Sequence, residues 1–480
     1  MNPNAGSDAA PAFEPVLTST MAHVVPRQDH PISRADISDS AMKVLYRLIG
    51  AGHLAFLVGG GVRDLLLGKA PKDFDIATDA SPEQVRELFR NSRLIGRRFR
   101  LAHVRFGREI IEVATFRGSA VDDDAPTVEQ ADLPSRRRSN SADEPAAAQS
   151  GSGMILRDNV YGTVDEDAAR RDFTINALYY TPADFCLYDF AGGLDDMEAR
   201  RIRLIGDPDQ RYREDPVRML RALRFAAKLD FEVDEDTAEP IPRMAELLLS
   251  IPPARLFDEV AKLFMHGHAE RSFDLLREFG VFTMLFPQSN AAMDRDPSDE
   301  EVARCALAST DARVHDDRPV TPGFLLAALL WPALRETQAR LIEEGVPPRD
   351  ALFDAGAAVL AEQQQHTAIP RRFSTFIRET WELQPRLESV STRRVASLLE
   401  HPRFRAAYDF LVIRERAGQD TGGMGDWWTR YQDADEDEQA HMREQLRGTG
   451  GGPEGRSSSD APPRKRRRRG GRRRTPAGSD

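Results

Sequence analysis

The sequence predicts an α+β protein with a mixed-sheet head, an all-helical body and a cationic tail. Three observations carry that reading. Between residues 39 and 116, short apolar runs alternate with amphipathic stretches, the rhythm of strands packed on helices. Beyond residue 195, apolar residues recur at helical spacing, punctuated by breaks such as Ile251-Pro252-Pro253. The chain then closes on RKRRRRGGRRR, residues 464–474, after a Gly-, Ser- and Pro-rich run.

Taken in order, residues 1–35 lack periodicity and predict a flexible arm. Residues 39–52 fit an amphipathic helix whose apolar face is Ala41, Val44, Leu45 and Leu48. A strand over 53–58, a helix over 62–67 and a strand over 73–78 follow. Ser81-Pro82-Glu83 opens another helix: serine caps, proline takes the first turn and glutamate suits the positive end. Strands are expected at 101–106 and 110–116. Residues 118–153 are nearly devoid of large apolar side chains and predict a disordered insertion in the head. The Asp122-Asp123-Asp124 run inside it is no metal site, because a flexible loop cannot hold ligands at fixed separation. Order resumes near Met154, and the head closes around 190. The clearest helices of the body are 215–229, 241–249, 254–265, 269–279 and 324–331, with further ones at 391–399 and 403–414. The expected divisions are an arm at 1–35, a head at 36–190, a first helical region at 191–290, a helical body at 291–432, and a polar linker and basic tail at 433–480.

Composition narrows the class. At 480 residues, the chain can bury more than one core. No apolar run reaches the length of a membrane span, and the N-terminus lacks a signal pattern. Cys186 and Cys305 are too few for a disulfide framework, so a cytoplasmic setting is expected. The net charge of −11 conceals an asymmetry. Nine of the 66 basic residues lie in the tail, leaving 57 against 77 acidic ones elsewhere. An acidic body with a cationic tail is the more informative description.

The chemistry centres on Val58-Gly59-Gly60-Gly61-Val62-Arg63-Asp64 and Asp73-Phe74-Asp75. On a strand, Asp73 and Asp75 share one face, roughly 7 Å apart, while Phe74 enters the core. Two such carboxylates repel unless a cation lies between them, and hard oxygen ligands that also meet phosphates suit magnesium. Glycines without Cβ let backbone N–H groups approach a triphosphate. Together they predict metal-assisted phosphoryl or nucleotidyl transfer. Arg170-Arg171-Asp172-Phe173-Thr174-Ile175-Asn176 is a second constellation, and Glu214-Asp215-Pro216-Val217-Arg218 a third. In a helix opened by Pro216, positions 215 and 218 are neighbours that could read a base edge or simply form an ion pair. Arg221 and Arg224 continue that row toward phosphates or solvent. His266-Gly267-His268 fits a helix terminus better than a metal site, and Trp427-Trp428 fits a core role better than base stacking.

The stretch LVGGGVRDLLLGKAPKDFDIAT, residues 57–78, resembles the head motif of polymerase-β-type nucleotidyltransferases, the class of tRNA CCA-adding enzymes and bacterial poly(A) polymerases. Residues 93–103, RLIGRRFRLAH, together with EIIEVATFRG, YREDPVRMLRALRFAAKL, IPPARLF and LLEHPRFRAAYDFL, resemble the poly(A) polymerases specifically. The likeness spans about residues 30–430. It implies a template-independent adenylyltransferase that moves AMP from ATP onto RNA 3′ ends with release of pyrophosphate. Asp73 and Asp75 would hold two Mg2+ ions, with Mn2+ as a substitute. Asp172 would complete the carboxylate set, with Glu112 as its rival on an alternating strand. Gly60, Gly61, Arg63, Arg171 and Asn176 would position the triphosphate, and Asp215, Arg218 and Arg221 would bind the nucleotide and favour adenine. RNA would meet Arg97 and Arg98, and the tail residues Arg464, Lys465, Arg466, Arg467, Arg468, Arg469, Arg472, Arg473 and Arg474, through sequence-independent phosphate neutralisation. RNA-degradation or RNA-chaperone proteins are the implied protein partners. The alternatives are a tRNA CCA-adding enzyme and a non-catalytic RNA-binding regulator on the same fold.

Overall fold

The computed structural model describes residues 17, 19, 21–96, 100–118, 147–149, 155–158 and 160–449. The head is built on strands β1 (His23–Val25), β2 (Ala55–Val58), β3 (Asp75–Thr78), β4 (Ser92–Ile95), β5 (Leu101–Phe106) and β6 (Glu109–Thr115). A hairpin of β7 (Ala147–Gln149) and β8 (Ile155–Asp158) stands apart, and β9 (Leu178–Tyr180) and β10 (Leu187–Asp189) complete the sheet. Its order is β1-β10-β9-β2-β3-β6-β5-β4. Every ladder of this eight-stranded sheet is antiparallel except β3 with β6, which pair in parallel. A parallel pair needs a crossover. Here the chain leaves β3 through helix α3 (Pro82–Leu88) and the β4–β5 hairpin before returning as β6.

Alternation along the strands divides the two faces. Ala55, Leu57, Ile76, Ile111 and Val113 join one core with α1 (Asp39–Gly50), whose Val44, Leu45 and Leu48 are fully buried. Burial of this kind stabilises by about 1.5–3 kcal/mol per side chain. Phe56, Val58, Ala77 and Tyr179 form the core of the other face with Phe116 and Tyr188. Short helix α2 (Gly60–Leu66) follows β2 directly. The predicted cap of α3 is a full capping box, with Ser81 and Gln84 serving each other's backbone.

Several boundaries differ from expectation. The arm is not featureless, for β1 pairs with β10 and forms one edge of the sheet. Three residues are too short to show alternation, so only the partner strand reveals it. The predicted insertion at 118–153 contains β7, and residues 119–146 lie outside the described set. The helix expected over 241–249 is α-helical only over Pro240–Met244 and continues as a 3-10 turn over Ala245–Ser250. The supposed linker after 433 begins with a helix, Glu436–Thr449. Its start is fixed by the Asp435 carboxylate accepting from the Glu438 N–H, and its Met442 is buried.

The apolar packing of the body does not break at 290. One core runs from Phe173 and Ile175 through α7 (Val217–Leu229), which follows α4 (Val164–Ala169), α5 (Gly193–Glu198) and α6 (Pro208–Glu214), and on to Ile413. A smaller core gathers Leu383, Leu398, Trp428, Tyr431 and Met442. Trp428 is fully buried and donates its indole N–H to the Leu387 carbonyl, the core role expected of it.

Candidate active site

The register of the sheet assembles the site. Tyr179 on β9 faces Val58 on β2, and Val58 faces Asp75 on β3. Asp75 faces Glu112 on β6, Glu112 faces His103 on β5, and His103 faces Arg93 on β4. Six residues therefore form one row on one face. The strand begins at Asp75, so Asp73 precedes it, with Phe74 turned into the opposite core as expected. Asp73 and Asp75 are both exposed.

Charge is crowded in this row. Asp75 lies open on one side and walled by protein on the others. That enclosure, then the neighbouring Glu112 and Asp73 carboxylates, push its pKa up to about 6 against the pull of Arg171. Glu112 is held by His103, whose Nε2 lies 2.9 Å from its Oε1. Arg171 lies over the Tyr179 ring at 4.9 Å. It donates from Nε to the Tyr179 hydroxyl at 2.6 Å and from Nη2 to Asp167 at 3.1 Å. Burial works against its charge, but Tyr179 and Asp167 keep its pKa above the ordinary value.

The glycine run presses backbone against these groups. Gly59 takes φ +68°, a conformation other residues rarely adopt, and a Cβ there would meet Arg171 Nη1 at 3.4 Å. A Cβ on Gly61 would meet the Asp73 carbonyl oxygen at 3.4 Å. Gly60 opens α2, where the first N–H groups lack intrahelical partners.

A different fate befalls Arg63, Asn176, Asp172 and Arg221. Arg63 is 2% exposed. It donates from Nε and Nη2 to Asp64 and from Nη1 to Asn176 at 2.8 Å, so its donors are engaged within the protein instead of turned toward the triphosphate role its motif suggested. Asn176, also buried, passes the connection on by donating to Asp172 Oδ1 at 3.0 Å. Asp172 further accepts from its neighbour's N–H, at Phe173, and from both Nε and Nη2 of Arg221. Burial opposes its ionisation, yet Arg221 and these hydrogen bonds hold its pKa well below the carboxylate range. These residues form a continuous polar chain joining α2, the Phe173–Asn176 turn and α7. Asp172 spends its oxygens inside that chain.

The base-reading pair is also rearranged. Asp215 stands between α6 and α7, not within a helix, and its carboxylate pairs with Arg255 at 2.7 Å. Arg218 donates through Nη1 to Glu214 and to the Arg211 carbonyl. Its Nε and Nη2 make no further hydrogen bond among the described residues. Sequence reasoning passed over His103, Glu214, Arg255 and Tyr179 as functional. Three carried a signal, since His103, Glu214 and Arg255 stand in the segments 93–103, YREDPVRMLRALRFAAKL and IPPARLF. Arg97, Arg98 and the whole basic tail lie outside the described residues.

Asp73 and Asp75 offer the hard oxygen donors a divalent cation takes. Among the described residues no three acidic, histidine or cysteine side chains gather closely enough to enclose an ion unaided. That suits a cation such as magnesium, which takes one or two carboxylates and fills the rest of its shell with water and substrate phosphates.

The fold defines the class. Solved CCA-adding enzymes share it: a complex with ATP aligns at TM-score 0.55 and 20% identity over 84% of this chain and 82% of that one. The Bacillus stearothermophilus enzyme with CTP aligns at 0.51 and 23% over 83% and 82%. Residues 55–203 match the poly A polymerase head domain. Residues 230–293 match the probable RNA and SrmB-binding site of polymerase A, and 344–474 its arginine-rich C-terminus. The poly(A) polymerase I of Escherichia coli O6:H1 is 48% identical over 438 residues, 90% of both chains. That of Haemophilus influenzae is 46% identical over 88% of this chain and 90% of its own. The CCA-adding enzyme of Bacillus subtilis is 37% identical over only 48% of this chain. The chain belongs to the bacterial poly(A) polymerase family.

Proposed function

We propose that this protein is a polynucleotide adenylyltransferase whose chemistry occurs on the Asp75–Glu112 row, adding AMP from ATP to RNA 3′ ends and releasing pyrophosphate. The observation that carries the site is the parallel β3–β6 register, which sets Glu112 beside Asp75, with no arginine among the described residues ion-paired to either. Asp73 and Asp75 hold the divalent cations, two Mg2+ with Mn2+ as a substitute, and Glu112 is the third carboxylate of the set. When bound, the metal lowers the pKa of the attacking hydroxyl and neutralises phosphate charge. His103 keeps the Glu112 carboxylate oriented. Gly60 and Gly61 bring backbone N–H groups to the triphosphate, and Arg171 adds a fixed positive charge beside it. Asp172, Asn176 and Arg63 act one layer below, holding α2 and α7 in register. Asp215 and the free edge of Arg218 read the adenine, with Arg221 anchored behind them.

RNA binding is supported by the match over 230–293 and by the cationic tail, Arg464 to Arg474. The SrmB-binding site named in that model supports a protein partner on the same segment, which suits the RNA-degradation or RNA-chaperone class. No helix among the described residues is long and apolar enough to cross a membrane. The free thiols of Cys186 and Cys305 support a reducing, cytoplasmic setting. The test is primer extension with magnesium and each nucleotide triphosphate alone, on an unstructured RNA and on a tRNA ending before CCA. Long adenylate tails on both RNAs are expected. Two cytidines added from CTP to the tRNA alone, then one adenosine once ATP joins the CTP, would replace this reading with a CCA-adding one.

A further inference from the structure

The helical body contains a second cationic site, remote in sequence from the head. A cavity of about 540 Å3 opens between helices Pro297–His315, Arg371–Glu388 and Phe404–Arg416 and the segment 316–324. That volume lies in the range of small-molecule sites and is ample for one nucleotide. Five arginines line it against two aspartates, in a chain whose acidic residues outnumber basic ones.

The arginines are presented, not merely exposed. Arg403 lies over the Phe376 ring at 4.9 Å and is anchored through Nε to Glu379 at 2.7 Å. Arg405 lies over Tyr408 at 5.4 Å and is anchored through Nε to Asp409 at 3.1 Å. Stacking and a single Nε anchor fix each guanidinium plane while its outer edge still points to a ligand. Arg313 clamps the cavity's loop by donating from Nε and Nη2 to the Pro319 carbonyl. Arg416 is exposed and forms no ion pair among the described residues.

We infer that this cavity is an RNA subsite that seats one nucleotide upstream of the 3′ end. The phosphate is taken by Arg416 and Arg405, and the base lies against the Phe376–Arg403 stack. Fixed cations alternating with aromatic faces are what single-stranded nucleic acid binds. An acidic peptide would use the arginines and leave the rings idle. The inference rests on the polymerase reading, because the polyanion available to the site is the RNA being extended.

Arg416→Glu, alone and with Arg405→Glu, tests it in the full-length protein. Binding of 5′-fluorescein oligo(A) of four and of twenty nucleotides is followed by anisotropy over a salt series, with melting curves confirming the fold. The expected result is a Kd for the twenty-mer raised about tenfold in the double variant. The salt slope should fall by about 0.7 per lost phosphate contact. The four-mer Kd and the rate of AMP addition at saturating primer should stay unchanged. Phe376→Leu, a neutral change, should weaken twenty-mer binding with the salt slope intact. An unaltered twenty-mer Kd and slope in the charge-reversal variants would overturn the subsite. So would equal weakening of both lengths, or oligo-glutamate displacing a fluorescent acidic peptide from this cavity more readily than oligo(A) does. The rate of AMP addition to the four-mer separates these failures from a failure of the polymerase reading itself.

Discussion

The two groups of ionisable residues at the centre of the molecule are built on opposite plans. On the sheet row, Asp73, Asp75 and Glu112 crowd one another in the open, and among the described residues no arginine forms an ion pair with any of them. One layer below, Asp64, Arg63, Asn176, Asp172 and Arg221 are hydrogen-bonded end to end. Both groups come from motifs that look equally chemical in sequence. Charge that the protein leaves uncompensated marks where a ligand is needed, and charge that it fully compensates marks a scaffold.

The largest effect should come from the open group. Asp73→Ala and Asp75→Ala should each lower kcat by about a thousandfold or more, since several kcal/mol of charge stabilisation disappear. Their melting temperatures should stay at or slightly above wild type, because a repulsive carboxylate is removed. A double variant that folds and still extends RNA at full rate would break the comparison from its catalytic side.

Asp172→Asn should act in the other direction, through stability. Breaking this half-buried pair leaves Arg221, 33% exposed, without its carboxylate and costs about 1–3 kcal/mol in denaturant unfolding. The sign with pH follows from a native pKa depressed below the unfolded value of 3.8. The contribution of the charged carboxylate is fully present above about pH 4 and is lost as pH falls through the lower native value. The stability difference between variant and wild type should therefore persist at neutral pH and shrink only in strong acid.

Glu112→Gln sharpens the assignment between the two rivals. A loss of about 10- to 100-fold in kcat is expected, with unfolding free energy within about 0.5 kcal/mol of wild type. If Glu112→Gln were silent while a folded Asp172→Asn protein saturated with substrate stayed inactive, Asp172 would be the third carboxylate after all. The smallest effect lies away from both groups. Ser81→Ala removes the cap of α3 and should cost about 1 kcal/mol with kcat unchanged.

Much of the head was legible because its signals are local. Strand 101–106 falls where alternation put it, and the capping box of α3 is written in four consecutive residues. The short strand β1 was invisible because its stability comes from Leu187–Asp189, far along the chain. The site was half legible. The glycines, Asp73 and Asp75 announced themselves by spacing. Arg63 did not, because its burial depends on Asn176, 113 residues away. Asp215 and Arg218 read as a helical pair, yet Asp215 leaves the helix and finds Arg255 forty residues on. Trp428 was placed in a core correctly, since an indole of that size seldom stays exposed.

By itself, then, the sequence determined the fold class, the family likeness and the pair of aspartates, because periodicity, glycine spacing and a short motif are properties of neighbouring residues. Only the tertiary structure decided which charges remain open. Whether a carboxylate meets an arginine or another carboxylate is set by strand register and helix packing. The parallel pairing of β3 with β6 placed Glu112 beside Asp75, and the docking of α7 on the Phe173–Asn176 turn gave Asp172 its arginine.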